Sequence, residues 1–207
     1  MPMDTILMER GCFVGLATAA IEAYNRETDG FLVGDRALRV VRDRRRPVTV
    51  LRAAYPLQTA ERKPNWVAHG NARAFQRAKR AMENQDLGYE VLGGFHSHTG
   101  DDGAASLSST DLDYVAGEIG RRIRSEGVDR WLEVVVALRR RSWSKPHRIG
   151  WTTRPYRRKL GCTVALDSAH GYELTLGGFW VRPAENGARK DGAVQSSEAR
   201  LYAPWSE

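Results

Sequence analysis

The sequence predicts an α/β (α+β) domain built on a mixed central β-sheet flanked by helices, with a C-terminal β extension. Three observations lead there. Stretches with apolar residues at helical spacing alternate with short runs at strand spacing. The run Leu132-Glu133-Val134-Val135-Val136-Ala137-Leu138 is apolar at nearly every position, as a strand covered on both faces is. At 207 residues and 42% apolar content, the chain is long enough for one domain with its own core and too short for two. We read residues 1–182 as that domain, with its core over 8–152 and the extension over 153–182, and residues 183–207 as a polar tail.

Each element has a local reason. Phe13, Leu16, Ala20 and Tyr24 fall on one face at helical spacing, which predicts a helix over Phe13–Tyr24. Gly30–Val33 and Leu38–Val41 read as two short strands around a Gly34-Asp35 turn, and Pro47 leads into a third strand over Val48–Ala54. Pro56–Asn65, with two prolines and mixed charge, reads as an exposed loop. Phe75, Ala78 and Met82 make Asn71–Asn84 an amphipathic helix that ends before Gly88. Tyr89–His98 is a strand, and Asp111–Arg124 a helix with Leu112, Val115, Ala116, Ile119 and Ile123 facing the core. Beyond Trp151, Leu160–Leu166 and Tyr172–Val181 can pair around Ser168–Gly171. Pro183–Arg200 reads as polar and mobile, and Leu201, Tyr202 and Trp205 are apolar enough to dock on the domain.

Composition narrows the setting. No apolar run approaches the roughly 18–20 residues that span a bilayer, and the start lacks a basic segment followed by an apolar stretch and a cleavage site. Cys12 and Cys162 stand far apart without a second pair, which fits reduced thiols in a cytoplasmic protein. The formal charge is +7, and only five of the 32 basic residues are lysine. Arginines cluster at Arg42–Arg46 and at Arg139–Arg141, the latter followed by Lys145 and Arg148. Such clusters can meet nucleic acid or an acidic protein surface, but they flank strands, where solvated hairpin ends are the plainer reading. Nucleic acid is therefore the less favoured partner, and no membrane partner is expected.

The most informative stretch is Gly93-Gly94-Phe95-His96-Ser97-His98, followed by Leu107-Ser108-Ser109-Thr110-Asp111. Side chains alternate along a strand, so His96 and His98 share a face and Ser97 points the other way. Two imidazoles on one face can share a cation. A catalytic zinc takes three protein ligands and keeps a position for water, and Asp111, in the first turn of the next helix, can be the third. Ser108-Ser109-Thr110-Asp111 is also an ordinary capping box, with Ser108 as the cap. Asp101 and Asp102 sit in the connecting loop and Asp113 points away from Asp111, so they compete poorly. His69, His147 and His170 have no partner at ligand spacing.

The pattern His-Ser/Thr-His, a variable loop, then Ser-x-x-Asp resembles the JAMM motif of the MPN+ (JAB1/Mov34) zinc metalloproteases, which include deubiquitinases and prokaryotic relatives. That family also carries an upstream Glu-x-x-Gly-x-Leu/Met-x-Gly pattern, and Glu27-Thr28-Asp29-Gly30-Phe31-Leu32-Val33-Gly34 matches each fixed position. The resemblance covers residues 8–152 and implies the MPN/JAB, cytidine-deaminase-like sheet. It implies one Zn2+ per chain on His96, His98 and Asp111, with Glu27 as general base and Ser108 as donor to the oxyanion. Glu22 lies outside that glycine register. The implied reaction is cleavage of an isopeptide or peptide bond after the C-terminal Gly-Gly of a ubiquitin-like protein or its conjugates, with Pro56–Asn65 and Thr99–Leu107 lining the channel. Alternatives are a zinc peptidase that processes a sulfur-carrier-type protein or another polypeptide, and a nucleic-acid-associated MPN-like protein using its arginine clusters. Two departures stand out: Thr99 replaces the family's usual proline after the second histidine, and the loop from His98 to Ser108 is longer than usual.

Overall fold

The computed structural model describes residues 5–41, 44–58, 61–64, 66–68, 72–83, 89–100, 104–126, 130–146, 150–156, 158–184, 194–203 and 205. The strands are β1 (Thr5–Met8), β2 (Asp29–Val41), β3 (Arg44–Pro56), β4 (Glu61–Lys63), β5 (Trp66–Ala68), β6 (Glu90–Thr99), β7 (Trp131–Ser142), β8 (Gly150–Tyr156), β9 (Lys159–Ala165), β10 (His170–Pro183) and β11 (Val194–Tyr202). The helices are α1 (Arg10–Glu22), α2 (Ala72–Glu83) and α3 (Ser109–Glu126).

The main sheet runs β11-β1-β3-β2-β6-β7-β10-β9-β8, and β11 also pairs with β10. That last pairing closes a ring of seven strands, β11-β1-β3-β2-β6-β7-β10, with β9 and β8 continuing outside it. The expected helix-flanked α/β sheet of the MPN type is therefore corrected to a mainly β structure with a closed barrel. β10 makes closure possible. One edge of it lies along β7 from His170 to Val181, while the other serves β9 over Gly171–Leu176 and then β11 over Gly178–Pro183. β10, expected as part of a C-terminal extension, thus belongs to the barrel itself. Residues 194–202, expected within a polar tail, form one of its staves, with Ala199 and Leu201 buried.

Bulges help the sheet bend. The pairing of β2 shifts against β3 between Val33 and Gly34 and against β6 between Leu32 and Val33, leaving Arg52 of β3 and Leu92 of β6 as the extra residues. Two bulges at successive positions bend a sheet in the manner that closure requires. The Gly34-Asp35 pair expected as a turn serves this bend within one continuous strand. A Cβ at Gly34 would lie 1.8 Å from the Val50 carbonyl oxygen. Asp35 Oδ2 accepts a 2.9 Å bond from Nε of the bulged Arg52, which also pairs with Glu9.

The principal core takes side chains from all seven strands of the ring and from α1. Six residues of α1, including Cys12, Phe13 and Leu16, are buried, so the helix is covered well beyond the single face that its spacing marked. Trp205 docks here, its ring 4.7 Å from Phe13 and its Nε1 donating to the Met8 carbonyl at 2.9 Å. Trp131–Leu138 of β7 is buried throughout, as its composition predicted. On the other face of the sheet, Val115 of α3 packs with Trp131 and Val181. The segment expected as a loop over Pro56–Asn65 contains β4, which pairs with β5; Asn65 lies outside the described residues.

Both cysteines are buried and free, and burial pushes the Cys162 thiol up to about 12. No helix among the described residues is long and apolar enough to cross a membrane. Of the arginine clusters, Arg141 donates from Nε to Glu173 Oε2 at 2.7 Å, whereas Arg42 and Arg148 lie outside the described residues.

Candidate metal centre

β6 and β7 are parallel neighbours joined through α3, and the carboxyl end of β6 carries the two histidines. Such strand ends, followed by a helix start, are common ligand sites because loops and helix N-termini converge there. His96 lies between Asp29 of β2 and Val135 of β7 in register. His98, two residues on, shares its face. α3 begins at Ser109 and brings Asp111 back over the strand end in its first turn.

The three side chains meet. His96 Nε2 is 3.2 Å from His98 Nε2; Asp111 Oδ1 is 3.6 Å from His96 Nε2, and Asp111 Oδ2 is 3.4 Å from His98 Nε2. One ligand atom from each lies within 4.8 Å of the others. Each imidazole is held from behind: His96 Nδ1 is 2.8 Å from Glu133 Oε1, and His98 Nδ1 is 2.8 Å from the Ala104 carbonyl oxygen. In the neutral imidazole, an acceptor at Nδ1 places the proton there and leaves the Nε2 lone pair facing the cluster. Two imidazole nitrogens and a carboxylate with that tautomer form a donor set suited to zinc.

The charges agree. Burial opposes a proton on His96, but the neighbouring carboxylates of Asp111 and Glu133 outweigh burial and raise its pKa to about 10. Burial likewise opposes charge on Asp111, and the bonds from His96 and His98 overcome it, holding the carboxyl well below the ordinary carboxylate range. The hydrogen bond to Asp111 raises His98 against burial. A pocket that draws positive charge to the point where these atoms converge suits a cation.

Glu27 is brought to this cluster by the backbone. Its N–H donates to the Lys63 carbonyl at 2.8 Å. The adjoining Thr28 is fastened to β6 twice: its N–H donates to Ser97 Oγ at 3.0 Å, and its carbonyl accepts from the Ser97 N–H at 2.9 Å. Ser97 thus has the structural role expected of a residue facing away from His96 and His98. Glu27 is 8% exposed. Burial raises its carboxyl pKa, the charges of His98 and His96 oppose the rise, and that of Asp111 adds to it, so Glu27 is within electrostatic reach of all three.

Ser108 and Asp111 form the reciprocal cap: Ser108 N–H donates to Asp111 Oδ2 at 2.6 Å, and Asp111 N–H donates to Ser108 Oγ at 3.1 Å. The Ser108 hydroxyl proton remains available for a further acceptor. Ser108→Ala is expected to lower stability by about 1 kcal/mol, as loss of an N-cap does. A thermal melt checks it, and an unshifted transition would remove the capping role.

The structure brings together Glu27, His96, His98, Ser108 and Asp111. Asp113 is exposed, and His170 closes a turn with Asp167 at 3.2 Å. Asp101, Asp102, His69 and His147 lie outside the described residues. Thr99 Oγ1 donates to the Pro64 carbonyl at 2.8 Å, so Thr99 ties the rim to the β4–β5 hairpin.

Sequence reasoning missed Glu133, although a signal was present: one carboxylate in an apolar, buried strand is costly unless it is paired. It also missed Asp29, whose carboxyl is raised to about 7 by burial and the Glu133 charge, against Arg62 and His96. The Ala104 carbonyl had no sequence signal.

No protein-family model matches the chain, and no curated protein matches it. A similar solved structure is the solution structure of a structural-genomics target from Desulfitobacterium hafniense. It is 16% identical, with 96% of this chain and 93% of that chain covered and a TM-score of 0.48.

Proposed function

We propose that this chain is a zinc-dependent hydrolase with JAMM-type chemistry, an isopeptidase or peptidase that cuts after the C-terminal Gly-Gly of a ubiquitin-like protein. The observation that carries the reading is the convergence of His96, His98 and Asp111 within 4.8 Å, with Glu27 buried in electrostatic reach. When bound by these ligands, zinc supplies a Lewis acid and a water acidified toward neutral pH. The chain's own residues do the rest. Glu27, its carboxyl raised by burial, takes a proton and returns it to the leaving amine. The Ser108 hydroxyl donates to the carbonyl oxygen as negative charge gathers there. The free, buried Cys12 and Cys162 support a reducing, cytoplasmic setting.

The test joins metal analysis to a cleavage assay on ubiquitin-like proteins fused or conjugated through a terminal Gly-Gly. The expected result is one zinc per chain and release of the modifier with a free Gly-Gly carboxylate. Glu27→Gln should keep zinc and lose turnover by about 10²-fold or more. No zinc after reconstitution, or full turnover in Glu27→Gln, would overturn the reading.

A further inference from the structure

We propose that Glu133 is a positioning residue for the metal centre, fixing His96 with its Nε2 lone pair toward the cation. The inference rests on the zinc reading above. Glu133 is 6% exposed, in a strand stretch whose other residues from Trp131 to Leu138 are apolar. Burying a carboxylate there is unfavourable unless both oxygens find donors, and a valine or leucine would fill the space at less cost. Both oxygens do find donors: Oε1 is 2.8 Å from His96 Nδ1, and Oε2 accepts from Trp131 Nε1 at 3.1 Å. Gly94, opposite Glu133 in register, makes room, since a Cβ there would lie 3.1 Å from Oε2. The two histidines are therefore backed differently. His98 has the neutral carbonyl of Ala104 behind it, while His96 has a carboxylate, the stronger acceptor.

Two donors facing one carboxylate make a specific demand. Glutamine has the same shape but offers one acceptor oxygen and one NH2 group. In Glu133→Gln, one of the two neighbours must face a donor. The indole of Trp131 cannot change its proton; the imidazole can, by moving it to Nε2, which removes the lone pair from the metal side. Glu133→Gln should thus weaken metal binding through the tautomer while leaving the packing in place. Adding Trp131→Phe removes the competing donor, lets the glutamine oxygen turn to His96, and should recover affinity.

The experiment measures zinc affinity of the full chain by competition with a chromophoric chelator, alongside the thermal melt of the zinc-free protein. Glu133→Gln is expected to weaken zinc binding about 10- to 100-fold, the range for a lost second partner of a histidine ligand. The double variant should regain part of that loss. A residue that only packs would shift the melt and leave the affinity of the folded protein unchanged, so wild-type affinity in Glu133→Gln overturns the proposal. If Glu133→Gln does not fold, Trp131→Phe alone, which frees the carboxylate from its anchor, should weaken zinc binding about threefold or more, and unchanged affinity overturns the proposal. A wild-type protein that takes up no zinc defeats the metal reading itself, an outcome distinct from a zinc-binding wild type matched by its Glu133→Gln variant.

Discussion

Asp111→Asn should bind zinc about 10²- to 10³-fold more weakly than the wild type and show no hydrolysis. The magnitude follows from roughly 10–16 kcal/mol for zinc bound by four ligands, or about 2.5–4 kcal/mol each, at about 1.4 kcal/mol per tenfold. Asparagine is the informative replacement because its amide oxygen can still accept from the Ser108 N–H, so the start of α3 survives while the charge between the imidazoles is lost. The zinc-free protein carries a second signature. His96 is raised from 6.5 to about 10, so its contribution to stability is full below pH 6.5 and lost as the pH rises through 10. Asp111 is lowered from 3.8, so its contribution is full above pH 3.8 and lost as the pH falls through its lowered value. Both are complete between pH 3.8 and 6.5, and there Asp111→Asn should destabilise the zinc-free protein most. Denaturant melts across pH read this out; a constant difference at every pH would dissociate Asp111 from the imidazoles.

A chain ending at Pro183 should fail to fold cooperatively. Removing β11 strips β1 of one of its two partners along Thr5–Leu7 and leaves one edge of β10 bare over Gly178–Pro183. Ala199, Leu201 and Ala203 leave the principal core, and Met8 loses the indole bonded to its carbonyl. A single large-to-small change at a buried leucine costs about 2–5 kcal/mol, and whole domains are stable by only about 5–15 kcal/mol, so losing a strand with several core residues exceeds what the fold can absorb. The two bare edges would also pair between molecules. A soluble truncated chain with a sharp thermal transition would show that residues 184–207 are the dispensable tail their composition describes.

Much of this was legible in the sequence where local chemistry decides the outcome. The even spacing of His96 and His98 placed them on one face, Ser-x-x-Asp marked the cap of α3, and the apolar run at 132–138 announced a doubly covered strand. Elements whose reason lies elsewhere in the chain were misread. Gly34-Asp35 has turn composition, yet the glycine is needed for close approach to Val50 and the aspartate for Arg52. Gln195-Ser196-Ser197-Glu198 looks like linker, but the strand is specified by Ala199, which pairs with Gly178 of β10, and Leu201, which pairs with Ile6 of β1 at the other end of the sequence. Barrel closure is a property of that distant pairing, which no local periodicity encodes.

At Gly177, β10 changes partner from β9 to β11, and a Cβ there would stand 2.5 Å from the Ala105 carbonyl oxygen. Ala105 is buried, and the carbonyl next to it in the chain is the one that holds His98. The seam of the barrel and the rim of the His96-His98-Asp111 cluster therefore adjoin. A methyl group added at 177 would force a shift at the Ala105 carbonyl, one residue from the carbonyl that holds His98.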